Sequence, residues 1–153
     1  AHKYNMIAVV QRVKSASVTV DDEIISKIEY GYLILLGVLK DDTEVDAQFL
    51  ADKISTFRIF PDGHKNMNLS IQDIDGSILV VSQFTLCGDW RKGRRPSFSS
   101  SAIPEIAESL YLKFCDLLST QNIDVKTGKF AAMMDVKLIN DGPVTFVMDS
   151  KDK

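Results

Sequence analysis

The stretch Leu33-Ile34-Leu35-Leu36-Gly37-Val38-Leu39 contains no polar side chain. It is far shorter than the ~20 residues a membrane helix needs, and it lacks the polar positions that would give a helix a solvent face. Residues 32–39 therefore read as a strand buried on both faces, which obliges the chain to cover a sheet from both sides. Residues 78–84 form a second, strongly hydrophobic strand. Alternation at Ile7 and Val9, and again at Val18 and Val20, predicts two strands of a hairpin or meander.

Thr43 followed by Asp46 resembles a capping box, and Val45, Phe49, Ile54 and Phe57 recur at helical spacing behind it. Pro104 suits the first turn of a second helix because it lacks an amide hydrogen that would go unpaired there. Ile106, Ala107, Leu110, Phe114, Leu117 and Leu118 make that helix's apolar face. Short strands are predicted around 123–126, 135–139 and 144–148. Many strands with two helices point to a single-domain α/β layered sandwich, its sheets mostly antiparallel or mixed and both main helices on one face. Homodimer formation would cover the exposed strand edges. Residues 6–149 form the domain, 1–5 read as a tag remnant or disordered tail, and 150–153 as a C-terminal tail.

With 45% hydrophobic and 25% charged residues, the chain is neither disordered nor fibrous. No secretory pattern opens the sequence, so a cytoplasmic location is expected. A net charge of −3 gives no global attraction to nucleic acid, so such a partner would have to meet a local patch. Cys87 and Cys115 form no CxxC pair. With only His2 and His64 available, a metal site of several imidazoles is excluded, and neither metal nor cofactor is expected.

Four segments stand out. Ser82-Gln83-Phe84-Thr85-Leu86 follows a run of aliphatics where a strand leaves the sheet. Its hydroxyls and amide suit a substrate-lining segment, and equally a strand end satisfying its own backbone. Asn140-Asp141-Gly142-Pro143-Val144-Thr145 is dense turn chemistry between two strands, and a Gly-Pro bond in cis would aim neighbouring carbonyls the same way. Trp90-Arg91-Lys92-Gly93-Arg94-Arg95 is a basic loop with an aromatic, able to track phosphates or simply to be solvated. In Gly128-Lys129-Phe130-Ala131-Ala132-Met133-Met134, Phe130 and Met134 suit either a flat ring or the core. A Ser-His-Asp triad finds no suitably placed histidine, and Arg91 and Lys92 are near enough in sequence to lower the Cys87 pKa.

Taken together, these segments resemble the D-aminoacyl-tRNA deacylases, historically called D-tyrosyl-tRNA deacylases. The two short motifs at 82–86 and 140–145 carry the resemblance. It extends from Met6-Ile7-Ala8-Val9-Val10-Gln11-Arg12-Val13 to about Met148. It includes Lys65-Asn66-Met67-Asn68-Leu69-Ser70, Lys92-Gly93-Arg94-Arg95-Pro96-Ser97-Phe98 and residues 127–134. The intact Gln83-Phe84 favours the D-specific branch over a related one that acts on mischarged L-alanyl-tRNA. The sequence departs from the family at Ala131, where Gly is frequent.

The resemblance implies a homodimer with active sites at the subunit interface. It implies hydrolysis of the ester joining a D-amino acid, or glycine, to the 3′-terminal adenosine of tRNA. By the same resemblance Ser82, Gln83, Phe84 and Thr85 form the catalytic pocket, while Phe130 and Met134 contact the adenosine. Gly142 and Pro143 would form a cis pair inserted into the partner's pocket, rejecting L-amino acids through backbone carbonyls. Arg91, Lys92, Arg94 and Arg95 are the candidate tRNA contacts. Aminoacyl-tRNA is the expected partner, with neither membrane nor DNA.

Such an ester is already activated. Backbone N–H groups near Phe84 and Thr85 would stabilise the oxyanion, with the adenosine 2′-hydroxyl assisting. Thr85 as covalent nucleophile is the competing mechanism. A non-catalytic tRNA-binding module and an esterase for small esters are the alternative functions.

Overall fold

The computed structural model describes residues 4–152. Ala1, His2 and Lys3 of the first predicted tail and Lys153 of the second lie outside the described residues. Six strands form one mixed sheet: β1 (Ile7–Val20), β2 (Glu23–Ile28), β3 (Gly31–Gly37), β4 (Ser77–Ser82), β5 (Asp124–Thr127) and β6 (Asp135–Asp149). Two helices, α1 (Glu44–Thr56) and α2 (Pro104–Ser119), join β3 to β4 and β4 to β5. Those two strand pairs are parallel, as crossover connections through helices require.

The order β2-β1-β3-β4-β5 curls on itself, with β6 along the other edge of β1. The Ser26 hydroxyl of β2 donates to the Thr127 carbonyl of β5 and so links the two ends of the path. The expected layered sandwich is therefore a single near-barrel mixed sheet. This curling explains the two-sided burial of β3 and β4. Tyr32, Ile34, Leu36, Ile78 and Val80 face α1 and α2, packing on Leu50, Ile54, Leu110 and Phe114. Leu33, Leu79 and Val81 point into the curl with Val13, Val18 and Ile28. Each such side chain contributes roughly 1.5–3 kcal/mol of burial. Both helices lie on one side, as the sequence predicts.

The capping box is formed: the Thr43 hydroxyl accepts from Val45 N (3.2 Å), and the Asp46 carboxylate accepts from Thr43 N (2.8 Å). Val45 itself is 60% exposed. The inward face of α1 is instead Ala47, Leu50, Ala51 and Ile54, where two small alanines hide the true stripe.

Two sequence expectations change. The separate strands predicted around Ile7 and Val18 are one continuous β1. The polar Gln11, Arg12 and Lys14 suggest a break, but Arg12 is itself buried, in step with Ala8 and Val10. Likewise, the turn predicted at 140–145 is a bulge inside one long β6. Gln11 pairs with Thr145 and Val13 with Asn140, so residues 141–144 stand where β1 has Arg12 alone. A bulge keeps both flanks paired to β1 while pushing the intervening chain outward.

Asn5 and Ser150, which flank the domain, are both tied to it. Asn5 N donates to the Asp149 carboxylate (3.0 Å), and the buried Ser150 donates from Oγ to Asp46 (2.7 Å). No helix among the described residues is long and apolar enough to cross a membrane.

Candidate active site

Where β4 ends, Gln83 N still donates to Leu36 O (2.8 Å), and the chain then tightens into a 3-10 turn, Phe84–Cys87. The opening amides of such a turn have no acceptor within it, so those of Phe84 and Thr85 are available at the strand's carboxyl end. Beside them lies a cavity of about 880 Å³, ample for an adenosine carrying an amino acid. Ser82, Gln83, Phe84 and Thr85 form one wall, and Phe130 and Met134 another. Segments far apart in sequence thus meet in one cleft.

Gln83 Nε2 donates to Thr85 Oγ1 at 2.9 Å. That bond fixes the hydroxyl as an acceptor towards Gln83 and leaves its proton free for another partner. Phe84 is 61% exposed, its ring 5.0 Å from that of Phe98. Phe130 packs 5.9 Å from Tyr111, whose hydroxyl donates to Val80 O (2.9 Å). Gly128 lets Met134 close the wall, because a Cβ there would lie 2.8 Å from the Met134 sulfur.

Ala131 has φ +64°, a left-handed conformation in which an L side chain costs roughly 1–2 kcal/mol. The strain of a side chain at Ala131 is thus borne by the backbone at the cleft's rim.

The lining contains no ionisable side chain: beyond the residues named, it is Val38, Val81, Ser101, Ala102, Pro104, Ala107, Ala132, Met133 and Val136. The part contributed by the start of α2 was missed in the sequence, since small and apolar residues there carry no chemical signal. Cys87 does not serve as a nucleophile. It is buried, donates to Val38 O, and burial pushes its thiol pKa up. The sequence expectation that Arg91 and Lys92 would lower it is corrected: burial raises it, and the nearby charge that acts on the thiol is Asp42, which raises it further.

Two predicted groups lie outside this cavity. Arg91, Lys92, Arg94 and Arg95 are exposed on a loop whose stem is closed by Asp89 N to Ser97 O (2.7 Å) and Ser97 N to Asp89 O (2.9 Å). Gly142 and Pro143 are exposed at the tip of the β6 bulge, joined by a cis peptide bond.

The bulge is held from below. Arg12 Nε donates to Asp141 O (3.0 Å) and Arg12 Nη1 to Ile59 O (2.7 Å), while the Asp141 carboxylate lies 3.4 Å from Nε. Asn140 closes its neck, Oδ1 accepting from Val144 N (2.6 Å) and Nδ2 donating to Thr145 Oγ1 (3.0 Å). Tyr30 borders the same cluster, its pKa raised by burial and then by Asp141.

A near-barrel mixed sheet with two crossover helices carries, at a strand end, a cleft of amides, hydroxyls and flat apolar walls, the kind of site a hydrolase uses, with no ionisable side chain in its lining. Residues 9–149 match the D-Tyr-tRNA(Tyr) deacylase family. Over 146 residues the chain is 56% identical to a D-aminoacyl-tRNA deacylase of Thermosipho africanus, covering 95% of this chain and 98% of that one. It is 53% identical to one from Bacillus cereus, over 95% and 100%. A solved structure described as c-Myc DNA Unwinding Element Binding Protein superposes with TM-score 0.86 at 40% identity, covering 93% and 97%. A probable eukaryotic D-amino acid tRNA deacylase shares the fold, with TM-score 0.80 at 17% identity over 94% and 98%. The chain belongs to the D-aminoacyl-tRNA deacylase family. It is a hydrolase with D-aminoacyl-tRNA deacylase activity, and its substrate is aminoacyl-tRNA.

Proposed function

We propose that this protein hydrolyses the ester between a D-amino acid, or glycine, and the terminal adenosine of tRNA, with the Gly142-Pro143 bulge of a partner subunit excluding L-amino acids. The observation that carries the reading is the lining of the large cavity, where residues 82–85 meet Phe130 and Met134 without any ionisable side chain.

Such a lining cannot activate a nucleophile by proton abstraction, so Thr85 has no base. The ester needs none of that help. Amides at Phe84 and Thr85 stabilise the charge that develops on the carbonyl oxygen as water adds to it; the C–O bond to the adenosine then breaks, and the water's proton passes to the departing oxygen with help from the adjacent hydroxyl of the same ribose. Gln83 positions Thr85 through their 2.9 Å bond. Phe130 and Met134 offer faces to the adenine ring.

The cleft has nothing that tells D from L, and the bulge lies outside it in the same chain. Both facts fit a site completed by a second copy. An apolar strip supports that assembly: Val147, 72% exposed, pairs with Val9, which pairs with Leu35 across the sheet. The β6 edge away from β1 has no strand partner among the described residues, and exposed edges of that length are normally covered.

A wall of main chain that collides with an L side chain needs to supply about 4 kcal/mol for ~1000-fold discrimination. It has nothing to strike on glycine, so glycyl-tRNA is cleaved as well. The exposed basic loop contacts tRNA phosphates, and a cytoplasmic location fits a tRNA substrate.

The test is release of tyrosine from D-tyrosyl-tRNA and L-tyrosyl-tRNA. Cleavage of the D form with sparing of the L form is expected, and equal rates remove the chirality filter. Salt-sensitive tRNA binding without ester cleavage would instead mark a binding module.

A further inference from the structure

A second, smaller cavity of about 140 Å³ borders the same 3-10 turn as the large cleft. Phe84 and Thr85 face the large cavity, and Leu86 and Cys87 line the small one. The small cavity's outer wall is Tyr4, Trp90 and Arg91.

Trp90 is 78% exposed, although tryptophan is highly buried on average, so its ring face is open to a stacking partner. The Arg91 guanidinium lies 5.8 Å from the centroid of the Tyr4 ring. It is fixed there by Asp89 Oδ1, which accepts from both Arg91 N (3.1 Å) and Nε (2.8 Å). The loop that carries these groups is anchored to the rim of the large cavity by the contact of Phe98 with Phe84. An aromatic platform next to an ordered cation is the pairing that binds single-stranded nucleic acid, the ring stacking a base and the cation meeting the backbone.

We propose that this small cavity is a base-binding subsite for the nucleotide preceding the terminal adenosine, with Trp90 stacking on that nucleobase and Arg91 contacting the phosphate between the two. The proposal rests on the reading of the large cavity as the aminoacyl-adenosine site and extends it by one residue along the RNA strand. It also gives the basic loop a defined register on the strand, beyond a general attraction to tRNA.

The experiment compares kcat/KM of the full chain on two dinucleotide esters, D-tyrosyl-CpA and the same compound with an abasic sugar in place of cytidine. D-tyrosyl-tRNA serves as the control. The subsite predicts roughly tenfold faster cleavage of the cytidine compound. In Trp90→Ala that ratio falls to about one. Equal rates on the two dinucleotides in the unaltered protein overturn the subsite, as does a preference that survives Trp90→Ala. Failure to cleave D-tyrosyl-tRNA at all would instead remove the reading of the large cavity, so the two failures are distinguishable.

Discussion

The cleft at residues 82–85 and the bulge at 141–144 are built from opposite materials. The cleft is walled by hydroxyls, one amide, aromatics and thioethers, with no ionisable group. The bulge stands on a buried guanidinium, a carboxylate and a tyrosine, laced by backbone acceptors. A reactive ester needs oriented dipoles where charge develops, and these the main chain provides. A steric filter needs stiffness, and charged groups buried with good hydrogen bonds supply it, because breaking any one leaves the others unpaired. On the proposed function, the two regions would divide the labour between chemistry and selection.

That division can be broken most severely at Gly142. With φ +139°, a Cβ there would lie 2.7 Å from Val144 Cγ2 and 3.2 Å from an Arg12 guanidinium nitrogen. Gly142→Ala must therefore move the bulge. The ratio of D- to L-tyrosyl-tRNA hydrolysis is expected to fall at least tenfold, measured by steady-state kinetics, while the cleft's fold is untouched. Arg12→Ala attacks the same region from beneath. It orphans the carbonyls of Asp141 and Ile59 and should cost about 2–3 kcal/mol in denaturant unfolding, with loss of discrimination in the folded fraction.

In the cleft the expected effects are smaller. Thr85→Ala removes a hydroxyl that has no base, so kcat should drop by less than about tenfold. A complete loss of turnover with substrate binding intact would make Thr85 the nucleophile. Ala131→Gly relieves a left-handed residue, and after the added chain entropy should stabilise the protein by roughly 0.5–1 kcal/mol.

Asp42, in neither region, separates stability from activity. Burial raises its pKa to about 7, so the folded protein favours the protonated acid. Its contribution is full below the unfolded value near 4 and is lost as pH climbs through about 7. Asp42→Asn, mimicking the protonated form, should raise the thermal midpoint at pH 8 by about 3 °C and show near parity at pH 4.

Much of this arrangement is readable in the chain. The aliphatic runs of β3 and β4, the Thr43–Asp46 cap and Pro104 at the start of α2 are local signals that tertiary packing reinforces. Arg12 shows why β1 was harder. Its charge interrupts the alternation, yet it keeps the inward phase of Ala8 and Val10, and only the partner carbonyls on distant segments explain its burial. The bulge is a similar case, since Asn-Asp-Gly-Pro is turn chemistry whether it ends a strand or buckles one. Register against β1 decides, and register is a long-range property. In the site, Ser82, Gln83 and Thr85 declare themselves by chemistry. The wall from Ala102 to Ala107 does not, because a cavity is shaped by what small residues leave empty. The small cavity was hidden for a different reason, as it joins Tyr4 to Trp90 across most of the first hundred residues.

The most direct trial of the two-region account is a crystal structure with a non-hydrolysable amide analogue of D-tyrosyl-adenosine. The account predicts a dimer in which the partner subunit's Pro143 lies within van der Waals contact, about 4 Å, of the ligand's α-carbon, while the adenine rests against Phe130. A ligand seated in the cleft with Gly142 and Pro143 of both protomers standing in solvent would contradict it.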